Sequence, residues 1–266
     1  VLQLVERGKI KLDAEVREYV TSFPAKQWPV TVRQLLGHLG GIRHYDNSRG
    51  EMSATRHYND VATALEIFTK DPLVHPPGTK YLYTTYGYNL LGAAVQEVAD
   101  VPYADYVRNN ILAPARMSNT VPDDHFLIIP NRVRGYLRTS DNRVVNAALA
   151  DTSNKLPGGG YVSTAGDMVR FGLAFRQTKL TKRETVDLML RQMRLADGTG
   201  TGYGMGWQIS GQGANRIIGH TGSQPGTNTF LGMTVTADWV VSIMTNLEGG
   251  APKTIADQVF DTLRAS

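Results

Sequence analysis

The sequence predicts an α+β fold, on three observations. Apolar residues recur at helical spacing through the first two thirds of the 266-residue chain, a glycine run at 158–160 marks a change of character, and four short β-branched segments follow one another closely near the end. Short connections between those segments favour antiparallel pairing. The expected organisation is a mainly helical domain over residues 1–154, in which 1–8 read as the end of a helix, and an antiparallel sheet with flanking helices over 155–266.

Each element has a local cause. Val1-Leu2-Gln3-Leu4-Val5 reads as a helix already under way. Thr31 with Gln34 forms a capping box ahead of Leu35 and Leu36, on a helix that carries His38 and stops at Gly40-Gly41. Asn59 is the expected cap of a helix with Val61, Leu65 and Phe68 on one face. Leu90, Leu91, Ala94, Val95 and Val98 make a second stripe, and Tyr103, Tyr106, Val107 and Ile111 a third after Pro102. Tyr161-Val162-Ser163 reads as a short strand, and Thr164 with Asp167 caps a helix through Met168, Phe171 and Phe175. Thr181 with Glu184 is expected to repeat that device ahead of 186–193. Strands are expected at 205–209, 216–220, 228–235 and 239–245, with Thr236-Ala237-Asp238 turning between the last two. A closing helix with Ile255, Val259, Phe260 and Leu263 on one face would cover the sheet.

Composition narrows the function classes. At 41% hydrophobic the chain can bury a sizeable core. Its 28 basic and 24 acidic residues give +4, but the basic ones are scattered, which argues against a nucleic-acid partner. The absence of cysteine excludes disulfides, thiolate metal sites and a cysteine nucleophile. No apolar run reaches the ~18 residues that cross a bilayer, so no transmembrane segment is expected. Asp123-Asp124-His125 reads as a loop turn, because no second cluster at ligand spacing accompanies it, and neither metal nor cofactor is expected. The compartment stays open, with a periplasmic or secreted one favoured, and an oligomer is allowed.

Two motifs stand out. Tyr83-Thr84-Thr85 follows Pro77-Gly78-Thr79, and His220-Thr221-Gly222-Ser223 lies on a predicted strand edge. Around them run Thr31-Val32-Arg33-Gln34-Leu35-Leu36-Gly37-His38, Tyr88-Asn89-Leu90-Leu91-Gly92, Gly158-Gly159-Gly160-Tyr161-Val162-Ser163-Thr164 and Tyr203-Gly204-Met205-Gly206-Trp207. In this order they resemble the serine beta-lactamase and penicillin-binding-protein superfamily almost from end to end. The nearest subgroup is the class-C-like serine hydrolases, and Gly41-Ile42-Arg43-His44-Tyr45 is similar to their mitochondrial beta-lactamase-like branch. The resemblance implies a beta-lactamase/DD-peptidase-like fold and acyl-enzyme chemistry on a small-molecule or peptide substrate with an ester, amide or lactam carbonyl.

It also implies roles. Tyr83 would relay a proton to the leaving group, which needs neighbours that lower a phenol pKa near 10. Thr85 stands where lactamases carry asparagine, and a hydroxyl cannot supply an amide donor and a carbonyl acceptor together. His220 stands where many relatives carry lysine and is a weaker anchor for a carboxylate. Thr221 and Gly222 would line the substrate, and the Ser223 N–H would contribute to the oxyanion hole. Peptidase or esterase activity is therefore expected ahead of efficient beta-lactam hydrolysis. The remaining superfamily motif, Ser-x-x-Lys, does not occur: no serine is followed by lysine three positions on. The nucleophile is expected upstream of Val1, and the chain alone is expected to be inactive, with an apolar trough open beside residues 1–5.

Other residues read as structural. His38 belongs at a domain junction, while His44, His57, His75 and His125 read as surface or loop residues. Thr152-x-x-Lys155 is the only Thr-x-x-Lys and lies where no catalytic helix is expected. An alternative is a non-catalytic penicillin-recognising or scaffold module; a third, suggested by the basic pI, is an envelope-polymer-binding surface, whose binding would be salt-sensitive.

Overall fold

Thr31 Oγ1 accepts the Gln34 N–H at 3.2 Å while Gln34 Oε1 accepts the Thr31 N–H at 2.9 Å, so the predicted capping box forms in the computed structural model, which describes residues 1–265. It starts α2 (Val32–Leu36), which follows α1 (Leu2–Glu6) and precedes α3 (Val61–Ala64). Then come α4 (Thr85–Ala99), capped by the Thr84 hydroxyl, and α5 (Tyr103–Val107), extended by a π-helical turn. The stripe predicted on α4 faces the first core, where Leu90, Leu91, Ala94 and Val95 pack against α1, α2 and the Val61–Phe68 stretch.

Two small antiparallel ladders interrupt the helical part. β1 (Val121–Pro122) pairs with β4 (Tyr161–Val162), and β2 (Tyr136–Arg138) with β3 (Val144–Asn146). Between them lies α6 (Leu156–Gly159), a single turn pressed against α4. A Cβ on Gly92 would meet Pro157 at 2.2 Å, and one on Gly158 would meet the Thr85 methyl at 2.2 Å, so only glycine permits this approach. Residues 154 and 155 belong to the 3-10 turn Ser153–Lys155 that leads into α6.

The main sheet has the order β5-β6-β7-β8, all antiparallel: β5 (Gln208–Ser210), β6 (Ile217–Gln224), β7 (Thr227–Thr234) and β8 (Val240–Thr245). On one face α7 (Ala165–Arg176) and α8 (Arg183–Met189) enclose Phe175, Trp207, Ile218, Leu231 and Met233; on the other, α9 (Pro252–Ala265) covers Phe230.

Several expectations need correction. Asp60, not Asn59, caps α3, because its carboxylate reaches the Ala62 N–H at 2.6 Å. Lys182 is the first-turn boundary of α8 without a side-chain cap, and the Thr181 hydroxyl is buried without a partner. The buried face of α9 is Pro252, Ala256 and Phe260; Ile255 and Val259 point outward. The helix after Thr31 ends at Leu36 with Gly37 as cap, so His38 lies past it in a left-handed conformation (φ 57°). β6 begins where expected but runs on to Gln224, which puts His220 in mid-strand.

Candidate active site

A cavity of about 1770 Å³ runs between the helical part and the sheet. Tyr83, Thr85, His220, Thr221, Gly222 and Ser223 all line it, so the fold brings every predicted site residue to one wall system. Elsewhere the lining is mixed, with Leu36, Leu91, Val95, Tyr106 and Phe171 along one stretch and Asp123, His125 and Arg132 along another.

β6 supplies one side. β5 pairs only with Ile217–Gly219, whereas β7 pairs with the whole strand, so from His220 to Gln224 the cavity-facing edge of β6 has no partner strand among the described residues. Side chains alternate along it, with Thr221 and Ser223 exposed and His220 and Gly222 half-buried. Gly222 is required here, because a Cβ would sit 2.3 Å from Thr229 Oγ1 on the paired strand.

Tyr83 supplies the other side, ending the extended segment that α4 continues. Its ring is surrounded by three imidazoles, with centroids 4.3 Å away at His38, 5.6 Å at His44 and 5.8 Å at His220. Its hydroxyl has no hydrogen-bond partner among the described residues, and burial raises its pKa above the ordinary 10. The expectation of neighbours that lower this pKa is thus not met by the described residues: no cation stands beside the phenol.

The imidazoles are held neutral by their surroundings. His38 Nδ1 accepts the Thr84 N–H at 3.1 Å, so its Nε2–H donates to the Tyr203 hydroxyl at 3.2 Å. His220 Nδ1–H donates to the Thr221 carbonyl at 2.6 Å, which leaves Nε2 to accept the Tyr203 proton at 3.0 Å. Burial lowers the pKa of His38 to about 3, with the neighbouring His220 and His44 adding to the effect. Burial also lowers that of His220, against the Thr221 carbonyl, which raises it. Both nitrogens of His220 are therefore spent inside the protein, and it offers no N–H to a substrate carboxylate.

Three residues of this neighbourhood were given no part in the site by the sequence. Tyr203 bridges the two histidines; its place beside the Gly-Met-Gly-Trp run was the only signal. His44, read as a loop residue, lines the cavity, and its Nδ1 accepts the Thr85 N–H at 3.2 Å. Lys155 is fully buried with no carboxylate partner among the described residues: its Nζ donates to the Met52 carbonyl at 2.8 Å and lies 5.0 Å over the Tyr45 ring. Burial alone brings its pKa down to about 8.

A buried ionic cluster fixes the segment carrying His44. Arg43 forks onto Glu51 at 2.7 and 2.9 Å and reaches Asp71 at 2.5 Å, while Tyr86 and the Asp46 N–H also donate to Glu51. Of the other histidines, His75 is buried rather than exposed, and His57 pairs with Asp151 at 2.8 Å. Asp123 faces Arg132 at 2.8 Å and Asp124 accepts the Phe126 N–H in a turn; among the described residues no group of three or more His, Cys, Asp or Glu could hold a metal.

Order of motifs, fold and cavity agree with the comparison that decides the family: the Beta-lactamase family profile matches residues 1–265. The chain belongs to the Beta-lactamase family. This is a family of serine hydrolases, with the α+β architecture described above. The human mitochondrial serine beta-lactamase-like protein LACTB is 29% identical over 239 residues, covering 65% of this chain and 44% of that protein. The putative penicillin-binding protein PbpX of Bacillus subtilis is 25% identical over 251 residues, 94% of this chain and 59% of its own length. This Beta-lactamase-family chain thus spans about half the length of these curated relatives. The octameric penicillin-binding-protein homologue of Pyrococcus abyssi superposes with a TM-score of 0.82 at 23% identity, over 99% of this chain and 62% of that one, a likeness of fold. No helix among the described residues is long and apolar enough to cross a membrane.

Proposed function

We propose that this chain carries the proton-relay and substrate-strand half of a serine hydrolase that works through an acyl-enzyme, with peptides or esters as substrates ahead of beta-lactams. The observation that carries this reading is the placement of Tyr83 against the unpaired edge of β6 across one cavity, with the Tyr83 and His220 rings 5.8 Å apart. A carbonyl seated on that edge would meet the Ser223 N–H, an oxyanion donor of a kind worth about 3 kcal/mol. Tyr83 would pass a proton to the leaving group. Thr221 and Gly222 would hold the substrate backbone, and Thr85 its flank.

The serine and lysine are proposed to lie ahead of Val1, on a helix whose apolar side rests on the wall of Leu36, Leu91, Val95 and Phe171. That lysine would give Tyr83 the neighbouring cation its phenol needs. Peptide or ester preference is supported by Thr85, which lacks an amide, and by His220, whose nitrogens are both engaged within the protein. An oligomer, as in the octameric Pyrococcus homologue, is compatible with this site.

The test uses a nitrophenyl ester and a fluorophosphonate, read by absorbance and intact mass. The 266-residue chain is expected to show neither turnover nor adduct. The protein extended through a Ser-x-x-Lys segment is expected to show both, with kcat falling at least about 100-fold in Tyr83→Phe. Turnover by the 266-residue chain that Tyr83→Phe abolishes would overturn the placement of the nucleophile, and an extended protein without an adduct would overturn the enzyme reading.

A further inference from the structure

We infer that His44 is a substrate-binding residue, whose Nε2–H donates to a carbonyl oxygen in the acyl portion of the substrate, so that acylamino or peptidyl substrates are preferred over simple acyl ones. This deepens the reading above and rests on it.

The three imidazoles around Tyr83 are not equivalent. Both nitrogens of His38 and both of His220 are consumed by Thr84, Tyr203 and Thr221. His44 differs. Its Nδ1 accepts the backbone N–H of Thr85, which fixes the proton on Nε2, and that atom has no partner among the described residues. It is not among the buried unpaired atoms either, so it is open to the cavity that His44 lines. His44 is thus the one ring donor of the three that a ligand can use.

The ring is also held in place and kept neutral. It stacks on Tyr45 at 4.3 Å and 30°, and the ammonium of Lys155 lies over the other ring of that stack, 5.0 Å from its centroid. Burial lowers the pKa of His44, and the charge of Lys155 lowers it further against the opposing pull of Glu51. Among the described residues no carboxylate lies within ion-pair distance of Lys155 to screen it. Burying an ammonium without a counter-ion is costly, and its charge here disfavours protonation of His44. Lys155 is a positioning residue in this arrangement: it acts through Tyr45 and His44.

A neutral N–H held beside Tyr83 suits a neutral acceptor. The ligand class this selects is an amide carbonyl displaced from the scissile bond, as in an N-acylated amino acid or a peptide. A carboxylate at the same place would be served better by a cation, which the arrangement excludes.

The experiment compares two nitrophenyl esters with the same leaving group, acetate and N-acetylglycinate, on the full-length protein that carries the serine. The second differs by one amide. The unsubstituted protein is expected to favour N-acetylglycinate in kcat/KM. In His44→Ala the ratio of the two values falls by about tenfold or more, and in His44→Gln, which keeps an N–H at a similar reach, most of the ratio returns. In Lys155→Met, His44 takes up a proton at Nδ1, and so gives up the Thr85 N–H that orients the ring, at a higher pH than in the unsubstituted protein, and the acid-side fall of the ratio moves up in pH with it. Equal loss on both esters in His44→Ala, leaving the ratio unchanged, would show a purely structural role and overturn the inference. If the unsubstituted protein hydrolyses both esters without preference, the inference alone falls; if it hydrolyses neither, the acyl-transfer reading falls and takes the inference with it.

Discussion

The Tyr203 hydroxyl gives its proton to His220 Nε2 at 3.0 Å and receives one from His38 Nε2 at 3.2 Å. One phenol therefore ties the loop after α2 to the middle of β6, across the two halves of the site. All three side chains are at least partly withdrawn from water, and Tyr203 is 2% exposed.

Tyr203→Phe removes the bridge while keeping the ring. His38 is left with an N–H, and His220 with a lone pair, that no other described group reaches. Each stranded group costs about 1–3 kcal/mol. Urea unfolding should show a lower midpoint with the slope unchanged, by an amount that corresponds to at least one such loss. An unchanged midpoint would mean that water satisfies both nitrogens.

Acid should weaken the fold well above the carboxylate range. The ordinary histidine value is 6.5 and burial brings His38 down to about 3, so between those values the unfolded chain binds a proton that the folded one refuses. Stability is then full above pH 6.5 and falls as the pH drops below it, by about 2 kcal/mol at pH 5 from His38 alone. His44 and His220 are shifted in the same direction. Unfolding free energies measured from pH 7.5 to 5 should follow this slope, and His38→Asn, which tolerates the left-handed backbone at this position, should flatten it.

Lys155→Met should stabilise the protein at neutral pH. The folded value of about 8 against an ordinary 10.5 means that the buried ammonium costs the fold about 3 kcal/mol below pH 8, part of which the lost bond to the Met52 carbonyl returns. The gain should shrink between pH 8 and 10.5, where the folded lysine is already neutral. A thermal-shift series over that range reads both the sign and the window.

Gly222→Ala should destabilise through one contact, the 2.3 Å approach to Thr229 Oγ1. The expected cost is about 1–3 kcal/mol, and Thr229→Ala in the same chain should recover most of it, a coupling that a double-mutant cycle measures.

Local signals in the sequence located most elements well. Thr31 with Gln34 and Thr164 with the Asp167 N–H act as their spacing suggested, because these bonds close within four residues. Beyond that reach the signals mislead. Thr181 with Glu184 has the same spacing, yet the chain enters α8 at Lys182, and the α9 stripe counted Ile255 and Val259 because both are apolar, although Ala256 is the residue that meets Phe230. At the site, Tyr83 and the β6 motif were legible from their flanks, whereas Lys155 was not. Thr152-x-x-Lys155 drew notice only as a spacing outside any catalytic helix, and the burial of the lysine depends on Met52, 103 positions away. His44 was missed for the same reason: its role comes from Thr85, 41 positions on.

The shortness of β5 has a consequence for recognition. Half of β6 offers main-chain donors and acceptors to whatever enters the cavity, so an extended ligand can be gripped as a fifth strand whose side chains go largely unread. Under the proposed acyl-transfer reading, selectivity would come from the few groups that look across at that strand, with broad substrate tolerance as the default and fine discrimination the work of one or two residues. An open edge is ordinarily a hazard, since another copy of the protein can pair with it. Here it faces the cavity between the helical part and the sheet.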